Sequence, residues 1–369
     1  MKNKKVLLEL CMSPDLGGLE LYMVRAAKAL KDRFKVISII NKNGKLEQYY
    51  EDGKDSYIAL EKKSNLLIFG AAKQLANIID EKNVDVIHVH WTKDLPLVVL
   101  SKLLSKKRPK VVQTRNMTMT RFKDDFYHRF LYKNIDLMLP VTYQVKEQLE
   151  KFIPQDIRPQ IEVLYMGSDK PELLEAPELK AFKEKTGLRE DIFNIGMVGR
   201  INEAKGQYLL IEALSKMQQK NAEVFFVGHE MDKGYIQKLQ KMAADLGVGS
   251  RVHFLGFMKN PHHFFQACDV IVMASRRETF GLVVIEAMQM GTAVVGSNSG
   301  GVVEIIDDEK TGLLFEMGNS DDLARKLERL QNDEALLNTI AHAGMMKCQE
   351  KFSNYLQFEK LGSILQGIV

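Results

Sequence analysis

The stretch DVIVMASRRETFGLVVIEAM, residues 269–288, decides how this chain reads. Asp269 to Ala274 is a near-continuous apolar run, short enough for a strand whose two faces are both covered by helices. A polar loop follows. From Gly281 the apolar residues Leu282, Val283, Val284, Ile285, Ala287 and Met288 fill a helix that must be largely buried. Two glutamates stand eight positions apart across this junction, Glu278 in the loop and Glu286 about one turn into the helix, so both can face one cleft from different depths. Amides of Gly281, Leu282 and Val283 lie between them, and a first helical turn has no internal partners for its N–H groups. A carboxylate among apolar neighbours needs partners, which sets Glu286 apart from an exposed helix glutamate.

Outward from this unit the same alternation repeats. Toward the C-terminus come Ala293 to Gly296 and Gly312 to Phe315; toward the N-terminus, Arg251 to Phe257, Glu223 to Val227 and Phe193 to Val198, with helical periodicity between. An earlier series runs through Val6 to Leu10, Phe34 to Ile40, Ser56 to Leu60, Val84 to His90, Lys110 to Thr114, Asp136 to Val141 and Ile161 to Met166, spaced by segments such as Leu19 to Leu30 and Leu66 to Ile79. Alternating strands and helices predict an α/β protein of two doubly wound, Rossmann-like domains. Residues 1–168 form the first and 192–352 the second. A linker over 169–191 carries Pro171, Glu172, Pro177 and Glu178 and one short helix. A last helix over 353–369, capped by Ser353 or Asn354, has the option of crossing back to the first domain. In open α/β sheets ligands collect at the carboxyl ends of the strands, so a central cleft faced by both domains is the expected site.

At 369 residues the chain has room for about two domains. Its 45% apolar and 27% charged residues exclude a disordered or fibrous protein. The longest apolar run, around Leu95 to Leu104, is shorter than the ~18 to 20 residues of a membrane helix and ends in lysines. The basic start, Met1 to Leu10, lacks the core and cleavage site of a signal peptide, which predicts a cytoplasmic protein. Cys11, Cys268 and Cys348 form no metal or disulfide pattern. Charge is divided unevenly: residues 1–170 hold 30 Lys+Arg against 21 Asp+Glu, and the remainder 22 against 27. The basic half includes Lys106, Lys107, Arg108 and Lys110, then Arg121, Lys123, Arg129 and Lys133 among Phe122, Phe126, Tyr127, Phe130 and Tyr132. Such a surface suits a peripheral contact with the anionic inner face of the cytoplasmic membrane, at roughly 1 kcal/mol per basic residue. Nucleic acid is not expected, because no recognition motif accompanies the charge.

Other motifs lie at strand-to-helix edges. Gly17-Gly18-Leu19-Glu20 follows the first strand, where glycines admit a close ligand and a helix start favours an anion. GxGxxG is absent. Gly199-Arg200 and Lys205-Gly206 put a guanidinium and an ammonium at the first βα edge of the second domain, a pairing able to hold a diphosphate. Gly300-Gly301 precedes Glu304. His88 and His90 share one strand face in Asp85-Val86-Ile87-His88-Val89-His90-Trp91. No third ligand is placed nearby, so no metal site is expected; His88 reads as structural, and His90 at the strand's end as a neighbour of donor sugar or acceptor.

Taken together, Gly-Arg, Lys-Gly, Glu-x-Phe-Gly with its second Glu, Ala-Met and Gly-Gly-x-x-Glu, in order from Gly199 to Glu304, resemble glycosyltransferase family 4, the retaining nucleotide-sugar transferases of GT-B fold. Gly17-Gly18 and Gly312-Leu313-Leu314 extend the resemblance over nearly the whole chain. It implies that Arg200 and Lys205 neutralise the donor diphosphate, Glu278 bonds the donor sugar and Glu286 the ribose. Amides of Phe280, Gly281 and Leu282 would complete the phosphate cradle, with Phe257 bordering the base and Gly17-Gly18 also meeting the donor. Glu20, Trp91 and Arg115 would lie on the acceptor side, the acceptor being a glycan or a lipid-linked glycan of a bacterial surface polysaccharide or lipopolysaccharide. No Asp-x-Asp occurs, and neither a metal nor another cofactor is expected beyond the nucleotide-sugar co-substrate. The chain departs from the family after the fifth strand, where Val112-Gln113-Thr114-Arg115-Asn116 replaces a common histidine. Guanidinium cannot act as a base, but Arg115 can hold an anionic sugar or an acceptor phosphate. Gly228-His229-Glu230 likewise replaces a common Gly-x-Gly. A GT-B nucleotide-sugar epimerase, and a protein that binds a nucleotide sugar without chemistry, are the alternatives.

Overall fold

The computed structural model describes residues 4–50, 57–61, 68–169 and 171–369; of the segments named above, Met1 to Asn3, Ser56, Leu66, Leu67 and Lys170 lie outside them. The chain forms two compact units, Met1–Tyr165 with Tyr355–Val369, and Met166–Asn354.

Unit 1 is built on seven parallel strands: β1 (Val6–Cys11), β2 (Lys35–Asn41), β3 (Tyr57–Leu60), β4 (Val86–Val89), β5 (Lys110–Arg115), β6 (Leu137–Pro140) and β7 (Gln160–Ile161), in the order β3-β2-β1-β4-β5-β6-β7. Helices α1 (Gly18–Ala29), α2 (Ile68–Glu81), α3 (Leu95–Leu104), α4 (Phe126–Tyr132) and α5 (Tyr143–Phe152) connect them. Central strands are buried on both faces: every residue of β1 and β4 is buried, including Glu9 and His88. The β1–β4 register sets Glu9 directly beside His88.

Unit 2 has six parallel strands, β8 (Phe193–Val198), β9 (Ala222–Val227), β10 (Val252–Gly256), β11 (Val270–Met273), β12 (Ala293–Ser297) and β13 (Leu313–Phe315), ordered β10-β9-β8-β11-β12-β13. Its helices are α6 (Ala176–Thr186), α7 (Gln207–Lys216), α8 (Tyr235–Asp245), α9 (His262–Ala267), α10 (Leu282–Gln289), α11 (Val302–Ile305), α12 (Ser320–Asn332) and α13 (Glu334–Lys351). In both sheets the reversal of strand order falls beside the first strand of the series, β1 against β4 and β8 against β11, where the carboxyl ends leave a crevice. Within residues 169–191, α6 starts with a Glu175/Glu178 capping box and stops at Gly187, whose φ of 80° suits glycine at a helix end.

The last helix, α14 (Asn354–Gly367), counts from Tyr355 onward with unit 1. Phe358, Leu361 and Leu365 are buried, and the Phe358 ring lies 5.5 Å from Tyr22. Arg33 fastens it further: its guanidinium donates to Glu359 at 2.5 Å, Gln366 at 3.0 Å and Ser363 at 3.1 Å.

Candidate functional site

In unit 2 the predicted residues gather at the carboxyl edge of the sheet, and glycines set the spacing. Gly228 adopts φ 156° so tightly against Gly199 that a Cβ would stand 1.8 Å from the Gly199 carbonyl oxygen. That contact locks the ends of β8 and β9 together, with Arg200 exposed just beyond. Gly206, at φ 79°, is pressed on Ala274, where a Cβ would meet the carbonyl oxygen at 2.3 Å. Only glycine fits either place. The second contact draws Lys205 to the loop after β11, and its ammonium donates to Glu278 Oε2 at 2.7 Å. The two residues are 73 positions apart in sequence, and both side chains are largely shielded from water.

The loop carrying Glu278 is braced from behind. Ser297 Oγ donates to the Ser275 carbonyl, Ser299 Oγ to that of Arg276, and the Gly301 N–H to that of Glu278 at 2.9 Å. Gly300, at φ 66°, leaves only 2.1 Å between a virtual Cβ and the Glu278 carbonyl oxygen. Gly281, at φ 107°, caps α10 without a side-chain bond. Leu282 and Val283 therefore present first-turn N–H groups that have no partner inside the helix. Glu286 is half-buried between buried Val284, Ile285, Ala287 and Met288. The Phe280 side chain is core, edge-on to Phe352 at 6.0 Å, so this residue offers a ligand only its backbone. Phe257 is 58% exposed and stacks on His229 at 4.1 Å, an open aromatic pair after β9 and β10. A cavity of about 740 Å³ opens beside Asn202, Glu203, Asp232, Arg276 and Arg277 at the same edge. None of the predicted donor residues lines it, and Arg276 and Arg277 have no expected role within the 269–288 motif.

Unit 1 gathers the remaining ones. Gly17 and Gly18 start α1, and Glu20 is buried with its carboxylate folded back toward Gly17. Trp91 follows β4, with the Lys93 ammonium 5.2 Å from its ring centroid. Arg115 closes β5, buried, and donates to the Met117 carbonyl, Thr92 Oγ1 and the Thr118 carbonyl.

The expectation that nothing accompanies His88 and His90 is corrected by Glu9. Its carboxylate lies between both imidazoles, with Oε2 3.0 Å from His88 Nδ1 and 2.5 Å from His90 Nε2; His88 Nε2 is 2.7 Å from Thr114 Oγ1. A lone acid inside the apolar run Val6 to Leu10 was the available signal, since a buried carboxylate must find partners. Burial by itself would push the Glu9 carboxyl up, but the two imidazoles and their hydrogen bonds hold it at about 2. Burial, then His88, drives the His90 imidazole down to about 4 against the pull of Glu9. At neutral pH this makes Glu9 a carboxylate receiving two N–H bonds and His90 a neutral ring. His90 Nδ1 is left as a buried acceptor with no partner among the described residues. Ligand atoms of these three residues are close enough together to hold a metal ion, so the third ligand missing from the sequence reading is Glu9.

Two family models match the chain, "Glycosyl transferase 4-like" over residues 9–142 and "Glycosyl transferases group 1" over residues 178–345. The chain is a glycosyltransferase. The glycosyltransferase is 24% identical over 378 residues to the capsular polysaccharide biosynthesis glycosyltransferase CapM of Staphylococcus aureus, covering 99% of this chain and 97% of that one. A glycosyltransferase structure from Rickettsia africae superposes with a TM-score of 0.89 at 24% identity, over 99% of each chain. Anabaena HepE in complex with UDP-glucose superposes at 0.83 with 21% identity, over 98% of this chain and 99% of that one. The fold is therefore GT-B. The enzyme is a transferase, and no helix among its described residues is long and apolar enough to cross a membrane.

Proposed function

We propose that the enzyme moves a sugar from a nucleotide-diphosphate donor to a hydroxyl of a glycan or lipid-linked acceptor, with retention at the anomeric carbon, in the assembly of a bacterial surface polysaccharide. The Lys205–Glu278 pair carries the reading: a cation and a carboxylate in contact, drawn from two βα loops to one sheet edge, beside the open first turn of α10. Breaking the anomeric bond places negative charge on the departing diphosphate. Lys205 and the amides of Gly281 and Leu282 are fixed before that charge develops, with the exposed Arg200 free to join them, and preorganised donors of this kind stabilise a transition state most. Glu278 exchanges its bond to Lys205 for hydroxyls of the donor sugar as phosphate takes over the ammonium. Glu286 holds the ribose hydroxyls, and the His229–Phe257 pair borders the base. The leaving phosphate oxygen takes the acceptor proton on the same face, and no metal is required because Arg200 and Lys205 balance the charge.

CapM, named for capsular polysaccharide biosynthesis, and HepE, a UDP-glucose complex, support the reaction class. UDP-glucose, GDP-mannose and UDP-N-acetylglucosamine incubated singly with the enzyme test it. A transferase leaves each donor intact or hydrolyses it slowly, and consumes one of them when acceptor glycan is added. Conversion of a donor to its epimer without acceptor would instead make the enzyme an isomerase. The basic unit 1 further supports a weak, salt-sensitive contact with anionic membrane. Flotation with phosphatidylglycerol vesicles that is absent, or indifferent to salt, counts against that contact.

A further inference from the structure

A second cavity, about 230 Å³, lies wholly within unit 1. Its polar lining includes Thr92, Lys93, Arg115, Lys123, His128 and Tyr132, and no carboxylate among the described residues lines it. Of the acids close in sequence, Asp125 accepts from His128 of this lining, Asp124 pairs with Arg129, and Asp94 accepts from the Met12 N–H. A buried guanidinium that no carboxylate pairs among the described residues is costly to keep, and the half-buried Lys123 ammonium stands near it.

The donors are also aimed. Arg115 spends three of its five N–H groups on Met117, Thr92 and Thr118, which hold the guanidinium still and leave two for a ligand. Thr92 Oγ1 accepts from Arg115 Nη1 at 2.8 Å and from Gln113 Nε2 at 3.2 Å, so both lone pairs are engaged and its O–H can only donate. Lys123 is pushed down by burial, then by Arg121 and Arg115, with Asp125 opposing, so Arg115 is a like-charged neighbour of this ammonium. The volume is below the range of ~300 to 1,000 Å³ that encloses a whole small ligand, and suits one charged substituent.

We propose that this cavity binds a phosphate group borne by the acceptor, gripped by the Arg115 fork, the Thr92 hydroxyl and the ammonium groups of Lys93 and Lys123. The assignment rests on the reading above only in taking the acceptor to dock on unit 1.

Trp91 is the protein's one tryptophan and adjoins Thr92, so its emission reports on this cavity. Inorganic phosphate titrated into the full-length enzyme should change Trp91 fluorescence saturably, while chloride at matched ionic strength should not. Arg115→Met should weaken that response at least tenfold, and Arg115→Lys, which keeps the charge but loses the fork, should fall between. Lys205→Ala should leave it unchanged, which separates this site from the donor site; UDP binding, followed by thermal shift, should be lost in Lys205→Ala and kept in Arg115→Lys. Glucose 1-phosphate and phosphatidylglycerol vesicles, run in parallel, tell a soluble sugar phosphate from a lipid phosphate by which of them competes with inorganic phosphate. No saturable response in the wild type, an equal one to chloride, or an unchanged one in both Arg115 variants would overturn the proposal whatever the fate of the donor reading.

Discussion

Replacing Glu9 with Gln removes one charge and almost no volume from the centre of unit 1. The carboxylate accepts from two imidazole N–H groups at 2.5 and 3.0 Å, both on Oε2. An amide cannot do the same. With its oxygen at the Oε2 position, its NH₂ falls where Oε1 stood, 3.2 Å from His88 Nδ1, and donor faces donor. One ring must change tautomer or lose its bond. Glu9 is held at about 2 against an ordinary 4.5, and at about 1.4 kcal/mol per unit this is on the order of 3 kcal/mol of stability. The carboxyl is depressed on folding, so this contribution is complete above pH 4.5 and is lost as pH falls toward 2. His90 is depressed as well, from 6.5 to about 4, so the unfolded chain takes up its proton first and wild-type stability already declines between those values. We expect Glu9→Gln to lower the urea stability of unit 1, followed by Trp91 fluorescence, by roughly 3 kcal/mol at pH 7, with the gap closing below pH 4.5. A variant within about 1 kcal/mol of wild type at pH 7, or a gap that does not change with pH, would refute the charge assignment. ¹⁵N spectra of the wild type should also show His90 with a bare Nδ1 and a protonated Nε2 at neutral pH.

Gly300→Ala should cost about 2 to 4 kcal/mol, since a left-handed alanine costs roughly 1 to 2 and the methyl must also displace the Glu278 carbonyl. Gly318→Ala, also at positive φ but with open space around it, should cost only the conformational part; equal losses in chemical denaturation would show that the contact with Glu278 matters little. Lys205→Ala and Glu286→Ala should each reduce turnover at least tenfold, about 1.4 kcal/mol or more, and wild-type rates in both would remove the donor-site assignment.

The architecture was legible because parallel strands covered on both faces are nearly uninterrupted apolar runs. Val270 to Met273 and Val86 to Val89 announce themselves, and the helices between them follow from spacing. Glu278 and Glu286 were legible for the same reason, as polar exceptions close to one apolar strand and helix. Contacts between distant segments were less so. Nothing near Lys205 in sequence points to Glu278; the pairing depends on Gly206 packing on Ala274, a tertiary contact. Glu9 was the opposite case, a visible exception in β1 whose partners become evident only once β1 and β4 are known to be neighbours. The phosphate cavity draws on the ends of β4 and β5 and on α4, segments about 40 residues apart at the extremes, and spacing alone does not assemble it.

A crystal structure with UDP tests the central claim most directly. The diphosphate should lie against Lys205 Nζ and the leading amides of α10, with the Lys205–Glu278 contact opened and the ribose on Glu286. UDP seated instead in the cavity beside Arg276 and Arg277, with Lys205 still bound to Glu278, would contradict it.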